Sequence, residues 1–270
     1  MFFPPDLAPN FMAALKPIWE ADYPDHIKLR GLWSMLSGLQ GAVLGQHLLH
    51  RIGNKVFAGP FRGMELSAAM MKNHLPPLLL GTYEWELHDA VEAVIAKPYK
   101  NIVNIGCSQG YYSVGFAMRM PQATVYAYDK DDAAQADCKA LAALNNVEDR
   151  VIVGGAFADE AFSQFAGEET LVFMDIDGAE QDLLDPERFP ALKKMDVIVE
   201  LHDGLQADLS TVIPLRFAPT HDVRVIPNAA FSFPLDKILG PDYVPDHFDN
   251  LLATWEGRVG PTPYGVFARK

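Results

Sequence analysis

Hydrophobic and polar positions along this chain switch between two periods. Short apolar runs such as Ile102-Val103-Asn104-Ile105, Leu171-Val172-Phe173-Met174 and Val197-Ile198-Val199 alternate with longer stretches in which apolar residues recur at helical spacing. The runs predict seven strands, over 101–106, 123–129, 151–156, 170–176, 196–201, 222–227 and 264–269. The stretches between predict helices over 110–120, 131–144, 159–166, 179–192, 206–217 and 245–256. Such alternation predicts a Rossmann-like, mostly parallel sheet with helices on both faces. Runs apolar in every position fit strands buried on both sides. The last run predicts a final antiparallel strand, hairpin-like beside the sixth.

Upstream the signals are less regular. Residues 4–24 read as an irregular arm with a short helix near Asn10 to Lys16, and 29–52 as one or two helices broken or bent near Gly38 and Gly41. Residues 56–66, punctuated by Gly59-Pro60 and Gly63, predict a short hairpin. Pro76-Pro77 closes this part, and Tyr83 to Ala96 predicts a helix capped by Thr82 and stopped at Lys97-Pro98. The expected division is an N-terminal helical cap with a short hairpin, 1–80, and an α/β domain, 81–270.

Residues 101–129 carry the clearest chemistry. The first strand meets a loop holding Gly106 and Gly110, a helix starts at Tyr111, and the second strand ends in Asp129. Strand, glycine turn, helix, strand and terminal acid make a βαβ unit suited to a nucleoside. Gly106 permits a tight turn and close approach because it has no Cβ. Asp129, 23 residues after Gly106, can accept hydrogen bonds from both hydroxyls of a ribose. A dinucleotide loop would read G-x-G-x-x-G, laying a pyrophosphate on the helix N-terminus. Here Cys107, Ser108 and Gln109 separate the two glycines. That spacing disfavours an NAD-dependent oxidoreductase, one alternative; another is a non-catalytic nucleoside-binding module on the same fold.

The ends of the later strands should hold the remaining working residues, because ligands of open α/β sheets bind there. The third strand ends in Gly154-Gly155-Ala156-Phe157, where Phe157 could stack on a base. The fourth ends in Asp175-Ile176-Asp177-Gly178-Ala179-Glu180 and the fifth in Glu200-Leu201-His202-Asp203. Asp177 also fits a helix N-cap, with Glu180 completing a capping box. As a group, these acids repel one another unless a ligand, proton or metal offsets them. His202 or Asp203 could act as a general base; alternatively Asp177, Glu200 and His202 could hold a divalent metal with mixed oxygen and imidazole ligands.

The glycine loop resembles the first motif of class I S-adenosylmethionine-dependent methyltransferases, acid-x-G-x-x-x-G, with Asn104 in the acid's place. The fourth and fifth strand ends resemble the FkbM-like family, whose Asp-x-Glu-Gly-x-Glu is followed by a later Glu; Asp177 stands where that family has Glu. The resemblance covers about residues 80–205 and implies a class I methyltransferase fold. It further implies methyl transfer from S-adenosyl-L-methionine to a hydroxyl of a small molecule, a sugar or secondary metabolite. By resemblance, Asn104, Gly106 and Gly110 line the methionine end, with Cys107, Ser108 and Tyr111 in the same loop. Tyr83 and Glu84 would lie nearby and supply the charge that Asn104 lacks. Asp129 and Lys130 would hold the ribose side, Ala156 and Phe157 the base, and Asp175, Asp177, Glu200 and His202 would face the methyl group. Residues 227–263, with Phe231, Phe233, Tyr243, Phe248 and Trp255, would form a substrate wall with the cap.

Composition narrows the partners. A hydrophobic content of 49% and a charged content of 21% are those of a globular protein. A net charge of −13 argues against nucleic acid, which needs clustered cations. Two cysteines, Cys107 and Cys138, make no disulfide framework and fit a reducing, cytoplasmic setting. The start, Met1 to Asp6, lacks the basic and apolar regions of a signal peptide. Leu32 to Leu49 is interrupted by Ser34, Ser37, Gln40, Gln46 and His47. It therefore predicts a buried or partner-facing helix, compatible with a homodimer, or alternatively an interfacial one, and no stable membrane insertion.

Overall fold

The computed structural model describes residues 7–72, 75–203, 205–228, 235–240, 251–254, 256 and 262–270. Seven strands form one sheet: β1 Asn101–Ile105, β2 Thr124–Tyr128, β3 Val151–Gly154, β4 Thr170–Met174, β5 Asp196–Glu200, β6 His221–Ile226 and β7 Tyr264–Arg269. Their order is β3-β2-β1-β4-β5-β7-β6. Strands β1 to β5 are parallel, while β7 inserts antiparallel between β5 and β6. This is the class I methyltransferase arrangement, with the strand order reversing between β1 and β4. All seven runs read from the sequence are strands, within a few residues at their ends.

Register decides where the chemistry can gather. Ile105 pairs with Tyr128 on one side and Met174 on the other, and Met174 with Val199. The residues just beyond these levels, Gly106, Asp129, Asp175 and Glu200, therefore share one edge. That edge lies at the switch point, where open α/β sheets bind ligands.

Strand side chains alternate between two cores. Ile102, Leu171, Phe173 and Ile198 face one; Val103, Ile105, Val172, Met174, Val197 and Val199 face the other. The first core is covered by α4 (His88–Ile95), α5 (Tyr111–Arg119) and α6 (Asp132–Leu144). Residues of the N-terminal region, among them Leu44, Leu48, Phe61, Met64 and Leu79, are buried in it too. Phe61 lies over Gly115, where an added Cβ would come within 2.5 Å of the ring. The second core is closed by Phe162, Phe165 and α8 (Leu209–Phe217).

Several helix expectations need correction. Helix α1 runs Leu7–Glu20 with Pro17 inside, and α2 is one continuous helix, Asp25–Ile52. Gly38 and Gly41 leave it unbroken, because helical glycine costs stability without forcing a bend. The expected hairpin is a single antiparallel bridge, Lys55 to Glu65. Pro76 and Pro77 do not end an element; they sit in the first turn of α3, Leu75–Leu80, where a missing N–H costs little. The helix expected from Tyr83 begins later, because Glu84 is left-handed (φ 48°), and a 3₁₀ turn over Trp85–Leu87 leads into α4. Thr82 does not cap it; its hydroxyl donates to the carbonyl of Ala253 at 2.6 Å. The helix expected over 159–166 is a 3₁₀ segment, Asp159–Phe165. The one expected over 179–192 breaks into α7, Glu180–Leu183, and a 3₁₀ turn, Pro190–Lys194. Pro186 and Pro190 account for that break. A short α9, Asp236–Leu239, completes the described helices. Most of the helix expected over 245–256 lies outside the described residues, as do Phe231, Phe233, Tyr243, Phe248 and Trp255.

Candidate active site

Two chambers open at the shared strand edge. The first, about 430 Å³, lies between the β1–α5 loop, α6 and the cap. It is lined by Tyr83, Glu84, Asn104, Gly106, Cys107, Ser108, Tyr111 and Asp175, all expected from the sequence. The second, about 230 Å³, lies beyond β2, β3 and β4, and is lined by Gly106, Asp129, Lys130, Ala156, Phe157, Asp175 and Asp177. Gly106 and Asp175 line both, so the chambers adjoin. Together they fall in the range of small-ligand sites.

The glycines have structural duties beyond leaving room for a ligand. Gly106 is left-handed (φ 82°), and a Cβ there would meet the Asp175 carbonyl at 1.6 Å. Its N–H and that of Cys107 both donate to the Tyr128 carbonyl at 2.9 Å. Gly110 is also left-handed and packs on Cys138 of α6, 2.8 Å from a notional Cβ to the sulfur. It is not among the residues lining the first chamber. Gly110 thus brings α5 and α6 together.

Asn104 is 2% exposed. Its amide donates to the Ser113 hydroxyl at 2.7 Å, and its carbonyl oxygen is buried with no partner. Leaving a buried acceptor unmade costs stability, so such a group on a cavity wall marks a place for a donor. Glu84, 3% exposed, accepts from the Tyr112 hydroxyl at 2.5 Å. Burial, and then the charge of Glu84, raise the Tyr83 and Tyr112 phenols well above their ordinary value. Glu84, Asp131, Asp137 and Asp175 make the first chamber acidic, a setting that favours a cationic ligand. Asp131 and Asp137, at the start of and within α6, and Gln109, in the β1–α5 loop, were not expected from the sequence; the α6 register gave no signal of the chamber.

At the second chamber Asp129 accepts from the backbone N–H groups of Ser108 (2.8 Å) and Asp131 (2.9 Å). One lone pair on each oxygen is thereby used, and each keeps another. Phe157 meets Tyr128 edge-to-face at 5.0 Å.

The acids of β4 and β5 gather around His202, which is 6% exposed. Its Nδ1 lies 2.6 Å from Glu180 Oε1, and its Nε2 lies 3.5 Å from Asp175, 3.4 Å from Asp177 and 3.8 Å from Glu200. Burial depresses the imidazole, but Glu180, Glu200 and Asp175 outweigh it and lift the pKa to about 9. Burial and the charge of Glu200 push Asp175 well above the usual carboxylate range. Burial likewise opposes ionisation of Glu180, yet the bonds from His202 and the Gly178 N–H hold it below its ordinary value. Asp177 does not cap α7: it is left-handed (φ 54°), its side chain is 84% exposed, and Ala179 takes the cap position without a side-chain bond. Asp203 is not brought to the cluster. Its oxygens accept from the N–H (2.8 Å) and hydroxyl (2.5 Å) of Ser210, at the start of α8.

The expected metal trio was Asp177, Glu200 and His202. Asp175, Glu200 and His202 each offer a ligand atom within 4.8 Å of the others. That oxygen and imidazole set could hold a hard divalent ion, with half-buried Asp175 rather than exposed Asp177 as the third ligand.

No family model and no curated protein matches this chain. Among solved structures it is similar to an O-methyltransferase from Bacillus cereus in complex with SAH, at 15% identity over 85% of this chain and 91% of that one, with a TM-score of 0.45. It is also similar to the O-methyltransferase TomG from Streptomyces achromogenes in complex with SAM, at 14% identity over 86% and 90%, with a TM-score of 0.45. A further likeness is to the precorrin-6y C5,15-methyltransferase of Geobacter metallireducens, at 13% identity over 67% and 88%, with a TM-score of 0.45. With so little identity and such partial superposition, these likenesses say nothing of this chain's acceptor or chemistry.

Proposed function

We propose that the chain is an S-adenosylmethionine-dependent methyltransferase acting on a hydroxyl of a small molecule. One observation carries this reading: two adjoining chambers meet at Gly106, with the unpartnered oxygen of buried Asn104 on one and Asp129 on the other. The acidic first chamber suits the ammonium and sulfonium of the cofactor's methionine half, and Asn104 would accept from the ammonium. Asp129 would accept from the ribose hydroxyls and Phe157 would flank the base.

When bound, the cofactor supplies an activated methyl carbon for in-line displacement. This chain's residues align the acceptor, exclude water and take the acceptor's proton. His202 is the base we assign. In the free protein at neutral pH it is an imidazolium held by its carboxylates; a cationic cofactor beside Asp175 would oppose that charge and favour the neutral, basic form. Asp175 and Glu200 border the proton's path.

The acids at the ends of β4 and β5 support an FkbM-like relationship, with Asp177 in place of that family's Glu. The 1–80 cap and the 81–270 domain would share the acceptor's wall. Trp19 on α1, Tyr23 in the link after it and Trp33 on α2 are 59%, 59% and 52% exposed, which supports pairing of two copies through this region. No described helix is long and apolar enough to cross a membrane, and the free, buried Cys107 and Cys138 support a reducing, cytoplasmic setting. Calorimetry with S-adenosylmethionine, S-adenosylhomocysteine and NAD tests the reading. Binding of the first two is expected; binding of NAD alone would overturn it.

A further inference from the structure

A buried carboxylate beneath the acid cluster lines neither chamber. Glu180 has no exposed surface, and a full charge is seldom buried without a partner that needs it. It has two partners. Its oxygens accept the Gly178 N–H at 3.2 and 3.0 Å, and Oε1 meets His202 Nδ1 at 2.6 Å. The turn that delivers it is costly: Asp177 (φ 54°) and Gly178 (φ 108°) are consecutive left-handed residues. A non-glycine residue in that region is disfavoured and persists where the surroundings demand it. The turn therefore does not serve to start α7, which is four residues long and has no side-chain cap.

We propose that Glu180 is the positioning residue of His202: it fixes the imidazole's rotation and its Nδ1–H tautomer, so that Nε2 presents its lone pair to the acceptor. The role rests on the base assigned to His202 in methyl transfer. The ring is faced by Asp175 and Asp177 from the end of β4, by Glu200 from the end of β5, and by Glu180 from α7. Only Glu180 meets Nδ1; the other three lie around Nε2, and two of them, Asp175 and Asp177, line the second chamber. A histidine base works only if its second nitrogen holds the proton, and a carboxylate there makes that choice. The same division of labour operates in serine-protease triads, where replacing the carboxylate by an amide yields the wrong tautomer. The proton lost by the acceptor goes to Nε2, giving an imidazolium whose Nδ1–H stays on Glu180, and leaves to solvent after product release.

The test is the imidazole nitrogen spectrum of histidine-labelled protein, with His202→Asn to assign the signal. Titrated to the alkaline end where the ring signal stops changing, the wild type should show a neutral ring protonated at Nδ1, with that proton shifted downfield. Glu180→Gln should move the proton to Nε2, because the amide can donate to Nδ1, and Glu180→Asp should keep it on Nδ1. Calorimetry on the same samples should give equal S-adenosylhomocysteine affinity for wild type and Glu180→Gln. A wild-type ring protonated at Nε2, or an unchanged tautomer in folded Glu180→Gln, overturns the assignment. The wild-type spectrum decides even if the variant does not fold. Failure of wild type to bind S-adenosylhomocysteine would instead remove the methyl-transfer reading, and the base role with it, whatever the tautomer.

Discussion

Asn104 donates its amide to the Ser113 hydroxyl at 2.7 Å, and this bond leaves its carbonyl oxygen buried on the chamber wall without a donor. The side chain is arranged for something the free protein lacks. An acid at this position would bring charge assistance to an ammonium ligand, but in the free protein it would add a buried charge to a chamber that already holds Glu84 and Asp175.

Asn104→Leu replaces the orphaned acceptor by an apolar group of similar size. Removing an unsatisfied buried acceptor can be neutral or stabilising, but the buried Ser113 hydroxyl loses its donor, so the two effects oppose and melting of the free protein should change little. Affinity for S-adenosylmethionine should fall by about 10-fold, the value of one hydrogen bond of about 1.4 kcal/mol. Calorimetry and thermal melting check both halves. Unchanged affinity would remove Asn104 from the site.

Asp129→Ala should weaken S-adenosylmethionine binding by about 1.5–3 kcal/mol, the range for hydrogen bonds to a charged group. The carboxylate also accepts from the Ser108 and Asp131 N–H groups, so the loop itself should loosen. Amide exchange at Ser108 should therefore speed up even without ligand. A folded variant that binds normally would exclude the ribose role.

The fold was largely legible because its strands obey short-range rules. Runs such as Leu171 to Met174 are apolar at every position, and burial on both faces follows without long-range knowledge. The shared strand edge of Gly106 and Asp129 was legible because a βαβ unit with a glycine turn spaces them. Glu180 was not recognised as a partner of His202, because 22 residues separate them and the turn geometry mimics a capping box. Asp131 and Asp137 face the first chamber only once Gly110 draws α6 against α5, a contact that no local pattern encodes. The failed helix expectation at Tyr83 has the same origin: Glu84 leaves helical geometry to reach Tyr112.

At the opposite end of the sheet Asp196 accepts from Lys97, Tyr99 and Arg269. Burial opposes its charge, but the Arg269 N–H, Lys97, Tyr99 and the Arg269 guanidinium outweigh this and hold its pKa at about 2. A folded-state value below the unfolded one, about 3.9, means that the carboxylate stabilises the fold above about pH 4. That contribution is lost as pH falls toward 2. Asp196→Asn should be less stable than wild type at pH 7, and the gap should narrow between pH 4 and 2. A constant gap in denaturant midpoints across that window would show that the ionised form is not what matters.

Base and metal models of the acid cluster part on what restores activity. Turnover is read as S-adenosylhomocysteine release with a hydroxyl acceptor found by screening. If His202 is the base, His202→Ala should lower turnover by about 10²–10⁴-fold, and chelator should leave the wild type active. If Asp175, Glu200 and His202 hold a divalent ion, chelator should silence the wild type and Mg²⁺ or Mn²⁺ should revive it. Glu200→Ala would then lose metal affinity together with rate, since it removes a ligand. The base reading is preferred because the cluster offers a single imidazole, and Glu180 already holds its Nδ1. Full chelator sensitivity with metal rescue would reverse that preference. Turnover indifferent to both chelator and His202→Ala would sink both models, leaving an acceptor that needs no deprotonation.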